Sequence, residues 1–197
     1  MELILLRHPP PDVPAGVCYG RSDIGPDPAR FEATVADMNK RIERAFARAG
    51  TVAYAVRRMV SSPLKRCALA AERLADRHGL PLAYDERLAE MHFGAWEMQP
   101  WHTIAREDID AWAAEPTHYA SPGGESARDV ARRVHAWRTQ VDGDVLVVVT
   151  HLGPIRLLAA QCLGLPLLAC QQWPLAFGGV CQLRCHDHHA ELICWGG

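Results

Sequence analysis

Four consecutive apolar residues, Leu3-Ile4-Leu5-Leu6, run straight into Arg7-His8. An unbroken apolar run of this length, stopped by charge, fits a strand buried on both faces of a sheet. The arrangement recurs far along the chain, where Val145-Leu146-Val147-Val148-Val149-Thr150 leads into His151. Between the two, apolar positions switch to helical spacing. Phe31, Val35, Met38, Ile42 and Phe46 mark a first helix, after a Gly- and Pro-rich loop that begins at Pro9-Pro10-Pro11 and extends to about Pro28. A second strand is expected within Val52–Ser62, around Arg58–Ser61. Ser62-Pro63 opens a helix with Leu64, Cys67, Ala68, Ala71, Leu74 and Ala75 on one face, and Gly79 closes it.

Leu80–Tyr84 reads as a third strand, and Trp101–Ala114 as a helix. Ser126 and Asp129 form a capping box ahead of Val130, Val134, Trp137 and Val141. Gly153-Pro154 leads into a helix over Ile155–Leu163. The tail Gly179–Trp195 reads as a hairpin turning at Asp187-His188-His189. Strands alternating with helices predict a three-layer α/β/α sandwich around a mostly parallel sheet. In such sheets ligands gather at the carboxyl ends of the strands, where both histidines are expected.

Composition narrows the picture. The 197 residues are most simply one domain spanning 1–197, and 49% hydrophobic residues is a globular composition. With 21 Lys+Arg against 23 Asp+Glu the net charge is −2, so no basic field is expected to recruit nucleic acid. No apolar stretch approaches the roughly 18 residues of a membrane span. The seven cysteines are odd in number and scattered, unlike a disulfide framework. With no secretory leader in Met1–Arg7, a cytoplasmic setting is expected.

The residues beyond each strand share a chemistry. They are Arg7 and His8, then Ser61-Ser62-Pro63 with Arg66, then Glu90, then His151. Two guanidiniums, two imidazoles and one acid at one sheet edge suit a phosphoryl group, whose oxygens repel a nucleophile until their charge is offset. The partner expected is therefore a small-molecule phosphate ester.

Leu5-Leu6-Arg7-His8, Ser61–Arg66, Arg87–Glu97, Pro122–Ser126 and Thr150–Gly153 resemble, in order, five segments of the histidine phosphatase superfamily, the phosphoglycerate mutase-like fold. Within it, Val17-Cys18-Tyr19-Gly20-Arg21-Ser22-Asp23 most resembles the alpha-ribazole phosphatases of cobalamin assembly. The resemblance implies that His8 is the nucleophile and becomes a phosphohistidine. It implies that Arg7, Arg66 and His151 cradle the phosphoryl oxygens, that Glu90 is the general acid and then base, and that Arg21 contacts the phosphate or the substrate rim. It implies no metal and no cofactor, since the guanidiniums supply the positive charge. The expected reaction is hydrolysis of alpha-ribazole 5′-phosphate to alpha-ribazole and phosphate. The alternatives are a sugar-phosphate or nucleotide phosphatase, a mutase, or a phospho-ligand binding module without catalysis. Oligomeric state is left open.

One departure from the family pattern is Pro9, where Gly usually follows the first histidine. Proline removes a backbone donor there, so the substrate loop is expected to be remodelled. Cys181, Cys185, His186, His188 and His189 crowd the tail, but their spacing predicts an exposed turn rather than a zinc site. Trp96, Trp101, Trp112 and Trp137 read as packing residues, with Trp96 and Trp101 the candidates to touch an aromatic substrate.

Overall fold

The computed structural model describes residues 1–50, 57–186 and 189–197. Among the described residues, six strands form one mixed sheet: β1 (Glu2–Arg7), β2 (Arg57–Ser61), β3 (Leu82–Tyr84), β4 (Val145–Thr150), β5 (Val180–Cys185) and β6 (Ala190–Trp195). Their spatial order is β3-β2-β4-β1-β5-β6. The first four are mutually parallel, while β5 and β6 close one side antiparallel.

The strand pleat explains the layers. Leu3 and Leu5 of β1 pack with Leu146 and Val148 of β4 on one face, beneath α4 (Ala127–Arg138) and α5 (Leu152–Cys162). Ile4 and Leu6 pack with Val145, Val147 and Val149 on the other, beneath α1 (Pro28–Ala49) and α2 (Lys65–His78). Because β1 is covered on both sides, its four apolar residues are all fully buried, each contributing about 2 kcal/mol of hydrophobic stabilisation. The continuous apolar runs in the sequence therefore mark the two central parallel strands.

Helix ends follow local chemistry. Asp27 accepts from Ala29 N at 2.9 Å to begin α1, with Pro28 in its first turn. Gly79 takes the left-handed conformation that ends α2. Ser126 and Asp129 form the capping box expected for α4.

Several boundaries differ from the sequence reading. Leu64 caps α2, Pro63 precedes it, and Ala70 rather than Ala68 is fully buried. The third strand starts at Leu82, and the last helix at Leu152. The helix expected over Trp101–Ala114 is two pieces: a 3₁₀ turn at Trp101–Thr103, then α3 (Arg106–Ala114). The break at Ile104 and Ala105 is extended backbone, and Ile104 turns into an aromatic cluster with Trp96, Phe93, Trp101, Trp112 and Tyr119. Packing within that cluster overrides helical propensity, which is weak in a segment whose helix buries no residue. The start of the second strand's expected range and the Asp187-His188 turn lie outside the described residues. Among the described residues no helix is long and apolar enough to cross a membrane.

Candidate active site

Strand register brings the two histidines together. Arg7 of β1 pairs with Thr150 of β4, so the next residues, His8 and His151, leave the sheet side by side. His8 N donates to Thr150 O at 3.0 Å. The rings lie 5.0 Å apart, centroid to centroid. From β1 the chain passes to the α1 face, and from β4 to the α5 face. The gap between their carboxyl ends is thus the switch point at which such sheets bind ligands.

The His8 ring is buried, and its Nδ1 lies 2.6 Å from the Pro9 carbonyl. A carbonyl oxygen only accepts, so Nδ1 carries the proton and Nε2 keeps its lone pair. Burial, then the Arg66 charge, holds the His8 pKa well below 6.5. Burial, then Arg66 and His8, does the same to His151. His151 Nε2 hydrogen-bonds the Ser62 hydroxyl at 2.8 Å, and the buried Cys67 thiol lies 3.4 Å from the same nitrogen.

Two guanidiniums complete the cradle. Arg66, fully buried at the start of α2, donates to Ser22 O at 2.8 Å and to Gly20 O at 2.5 Å. It thereby ties the 18–23 loop to the sheet edge. Arg7 donates to Leu175 O at 2.6 Å and lies 3.8 Å over the Phe177 ring. The Nε atoms of both arginines are buried with no hydrogen-bond partner among the described residues, although the Tyr19 hydroxyl lies against the Arg7 guanidinium. Two unpaired cationic donors beside two neutral imidazoles are costly without an anion, and the arrangement suits one.

Glu90 stands at the rim. Its carboxylate accepts from Met91 N at 3.0 Å and, at 3.4 Å, from Gly153 N at the start of α5. A Cβ at Gly153 would come within 2.4 Å of Glu90 Oε1, so only glycine admits the carboxylate there. Beside Glu90 opens a cavity of about 240 Å³ walled by Phe93, Trp112, Leu152, Leu157 and Leu167, with Arg156 and Gln171 among its polar lining.

The structure thus brings Arg7, His8, Arg66 and His151 together, with Glu90 at their edge. Arg21 follows Gly20 in the loop tied to Arg66; its guanidinium pairs with Glu86 at 3.2 Å near the surface, and its backbone N–H donates to Glu97. The loop around it enters the site's framework through the Gly20 and Ser22 carbonyls. Trp96 and Trp101, the residues expected to touch an aromatic substrate, are not among those lining the cavity beside Glu90. Trp96 is buried beside Tyr119, and Trp101 stacks on Trp112 at 5.9 Å. Phe93 and Trp112 line the cavity wall instead. In the tail, His186, His189 and Glu191 approach one another at the surface. Their two imidazole rings stack at 4.4 Å between centroids, within 14° of parallel.

The depressed imidazole pKa values carry a pH signature. Above about pH 6.5 both histidines are neutral in the folded and the unfolded chain. Below it the unfolded chain takes up protons that the native site refuses, so stability falls as pH falls. The expected slope is about 1.4 kcal/mol per pH unit for each imidazole. Denaturant titrations between pH 5 and 8 check this: a His151→Asn variant should lose about half of this histidine contribution. An identical slope in that variant would exclude His151 as a contributor.

The parallel part of the sheet thus presents a neutral, oriented imidazole with one buried and one half-buried guanidinium at its switch point, an arrangement that suits an anion. Comparison makes the class specific. The family model of the histidine phosphatase superfamily (branch 1) matches residues 3–196, and the chain belongs to that superfamily. It is similar to a glucosyl-3-phosphoglycerate phosphatase of Mycolicibacterium vanbaalenii, with 34% identity over 138 residues, 61% of this chain and 58% of that protein. It is also similar to an adenosylcobalamin/alpha-ribazole phosphatase of Salmonella typhimurium, with 29% identity over 116 residues, 55% of this chain and 57% of the relative. The chain spans between 29% and 59% of the length of such curated relatives. The alpha-ribazole phosphatase structure from Shigella flexneri superposes with a TM-score of 0.85 at 21% identity, covering 100% of this chain and 96% of that one, and shows the shared fold.

Proposed function

We propose that the chain is a phosphomonoesterase that works through a phosphohistidine. The observation that carries this reading is the His8 ring. Its only proton is committed to the Pro9 carbonyl, which leaves Nε2 as a free lone pair beside Arg7 and Arg66. Nε2 attacks phosphorus, an N–P bond forms, and the ester P–O bond breaks. Glu90, entering this step as the protonated acid, gives its proton to the departing alcohol oxygen and becomes the carboxylate. It then takes a proton from water as the water oxygen attacks phosphorus, the N–P bond breaks, and inorganic phosphate leaves. Arg7, Arg66 and His151 stabilise the charge on the transferring oxygens, a role that metal ions fill at other phosphoryl-transfer sites. In this reading residues 1–197 act as one domain on a small-molecule ester in the cytoplasm, without nucleic acid or membrane.

The favoured substrate is alpha-ribazole 5′-phosphate. The cavity next to Glu90 is walled by aromatic and aliphatic side chains, which suits a flat apolar base. The likeness of the Val17–Asp23 loop to alpha-ribazole phosphatases supports the same choice. Arg156 supports a second reading. Its guanidinium, held by Trp173 O at 2.8 Å, lines the same cavity and would pair with a carboxylate-bearing ester such as glucosyl-3-phosphoglycerate. Measured kcat/KM decides between them. The first reading expects alpha-ribazole 5′-phosphate to lead and Arg156→Met to change it little. A leading acidic ester that collapses on Arg156→Met establishes the second. Absence of phosphate release from either ester and from p-nitrophenyl phosphate sinks the hydrolase, and phosphoglycerate interconversion faster than hydrolysis makes the protein a mutase.

A further inference from the structure

The backbone that carries Glu90 is held in an unusual way. Four consecutive carbonyls, from Arg87 to Glu90, each accept a side-chain hydrogen bond. Thr150 Oγ1, one residue before His151, donates to Leu88 O at 2.6 Å. Arg133 of α4 takes the other three. Its Nη1 donates to Arg87 O and Ala89 O, both at 2.7 Å, and its Nη2 to Glu90 O at 3.0 Å. The remaining two N–H groups of Arg133 grip Glu125, Nε to Oε1 at 2.9 Å and Nη2 to Oε2 at 3.0 Å. All five guanidinium donors are used, in a side chain only 15% exposed.

Glu125 continues the clamp. It accepts from His92 N at 3.0 Å, and its own N–H donates to His92 O at 2.7 Å. Burial opposes the Glu125 charge, but the Arg133 pairing overcomes it and holds this carboxyl below its usual range. Gly94 lets the strap approach: a Cβ there would come within 2.1 Å of Pro122 O. The residues on both sides of Glu90 are therefore tied to one helix-borne guanidinium, directly or through Glu125, while the sheet adds the single Thr150 bond to Leu88 O.

We propose that Arg133 is the positioning residue for the Glu90 carboxyl, holding it where the ester oxygen leaves. The inference rests on the reading of Glu90 as the proton donor. Arg133 itself touches neither phosphate nor alcohol. Its contribution is to keep a rim carboxylate within proton-transfer distance of an atom whose position His8 sets. Lysine cannot replace it, because an ammonium has three donors and no planar fork.

Leaving-group dependence separates this role from a merely structural one. An alcohol with a high pKa needs its proton during P–O cleavage, whereas p-nitrophenolate leaves without one. The parameter to measure is kcat/KM, which covers phosphoryl transfer to His8 but not the later water step. Arg133→Met and Arg133→Lys should lower kcat/KM for an alkyl phosphate by about 10²-fold, and for p-nitrophenyl phosphate by no more than about fivefold. Glu125→Gln loosens the clamp from its other end and should give the same selectivity at smaller size, which decides the matter should the Arg133 variants fail to fold. Glu90→Gln tests the underlying reading: it should show the same selective loss, and Glu90→Gln/Arg133→Met should be no worse on the alkyl ester than Glu90→Gln alone. Equal losses on both esters, or none, in folded Arg133 and Glu125 variants overturn the positioning role. A Glu90→Gln variant without selectivity overturns the acid assignment instead, whatever Arg133 does.

Discussion

His8→Ala should abolish turnover, with kcat falling by more than about 10⁴-fold. The size follows from the role: among the described residues, no other side chain at the sheet edge combines a neutral lone pair with a proton held on the opposite ring nitrogen. His151 is the nearest alternative, and its Nε2 is engaged with the Ser62 hydroxyl. Rapid quenching of wild-type enzyme with labelled substrate should trap phosphate that is stable to alkali and released by acid, as expected of an N–P bond. The variant should trap none, while its guanidiniums still bind inorganic phosphate. Turnover within tenfold of wild type would falsify the assignment of His8 as the attacking residue.

Arg66→Met should be the second most damaging change, and its two effects differ in size. Removing one preorganised donor from a developing anion typically costs 10²–10³ in rate, and about 10³-fold is expected here because the charge is removed as well. The stability effect is smaller because opposing contributions nearly cancel. Two carbonyls, Gly20 O and Ser22 O, lose their partner, at about 1–3 kcal/mol each. Against that, a fully buried cation with a second guanidinium nearby is itself expensive to keep, and methionine fills much of its volume. The net change without ligand should fall within about 2 kcal/mol. Thermal melts with and without phosphate separate the effects. The wild type should gain about 2.7 kcal/mol at a hundredfold excess over Kd, and the variant almost nothing. A variant that unfolds at room temperature yet keeps its rate when stabilised by osmolyte would reverse this ranking.

The central strands were the most legible part of the molecule, for a physical reason. Leu3–Leu6 and Val145–Val149 are buried on both faces, so selection for apolar side chains leaves no polar position to blur the pattern. Arg7, His8, Arg66 and His151 were equally legible, because chemistry-bearing residues directly after such strands have one edge at which to meet. Glu90 follows no long strand, and it was found through the likeness of Arg87–Glu97 to a family segment. Arg133 was missed. Along α4 it stands among Arg128, Arg132 and Arg138, and helical spacing cannot tell a guanidinium turned toward three carbonyls from one in solvent. Glu125 offered the better clue, since it lies in the Pro122–Ser126 segment, yet an acid in a glycine turn reads as an exposed charge. The aromatic cluster was less legible for a similar reason: spacing along the chain does not show which tryptophan lines the cavity, and neither Pro nor Gly announces the break at Ile104.

Pro9 looked like a loss because it cannot donate. Its carbonyl shows what it contributes. The pyrrolidine ring fixes the torsion before its α-carbon, and Pro10 restricts the one after it, so the oxygen facing His8 Nδ1 has little freedom to swing away. Many enzymes orient a reactive imidazole with a carboxylate borrowed from a remote part of the fold. Here the ring is steered by the next two residues of its own chain, so the loops that shape the alcohol's berth can be exchanged without retuning the atom that attacks.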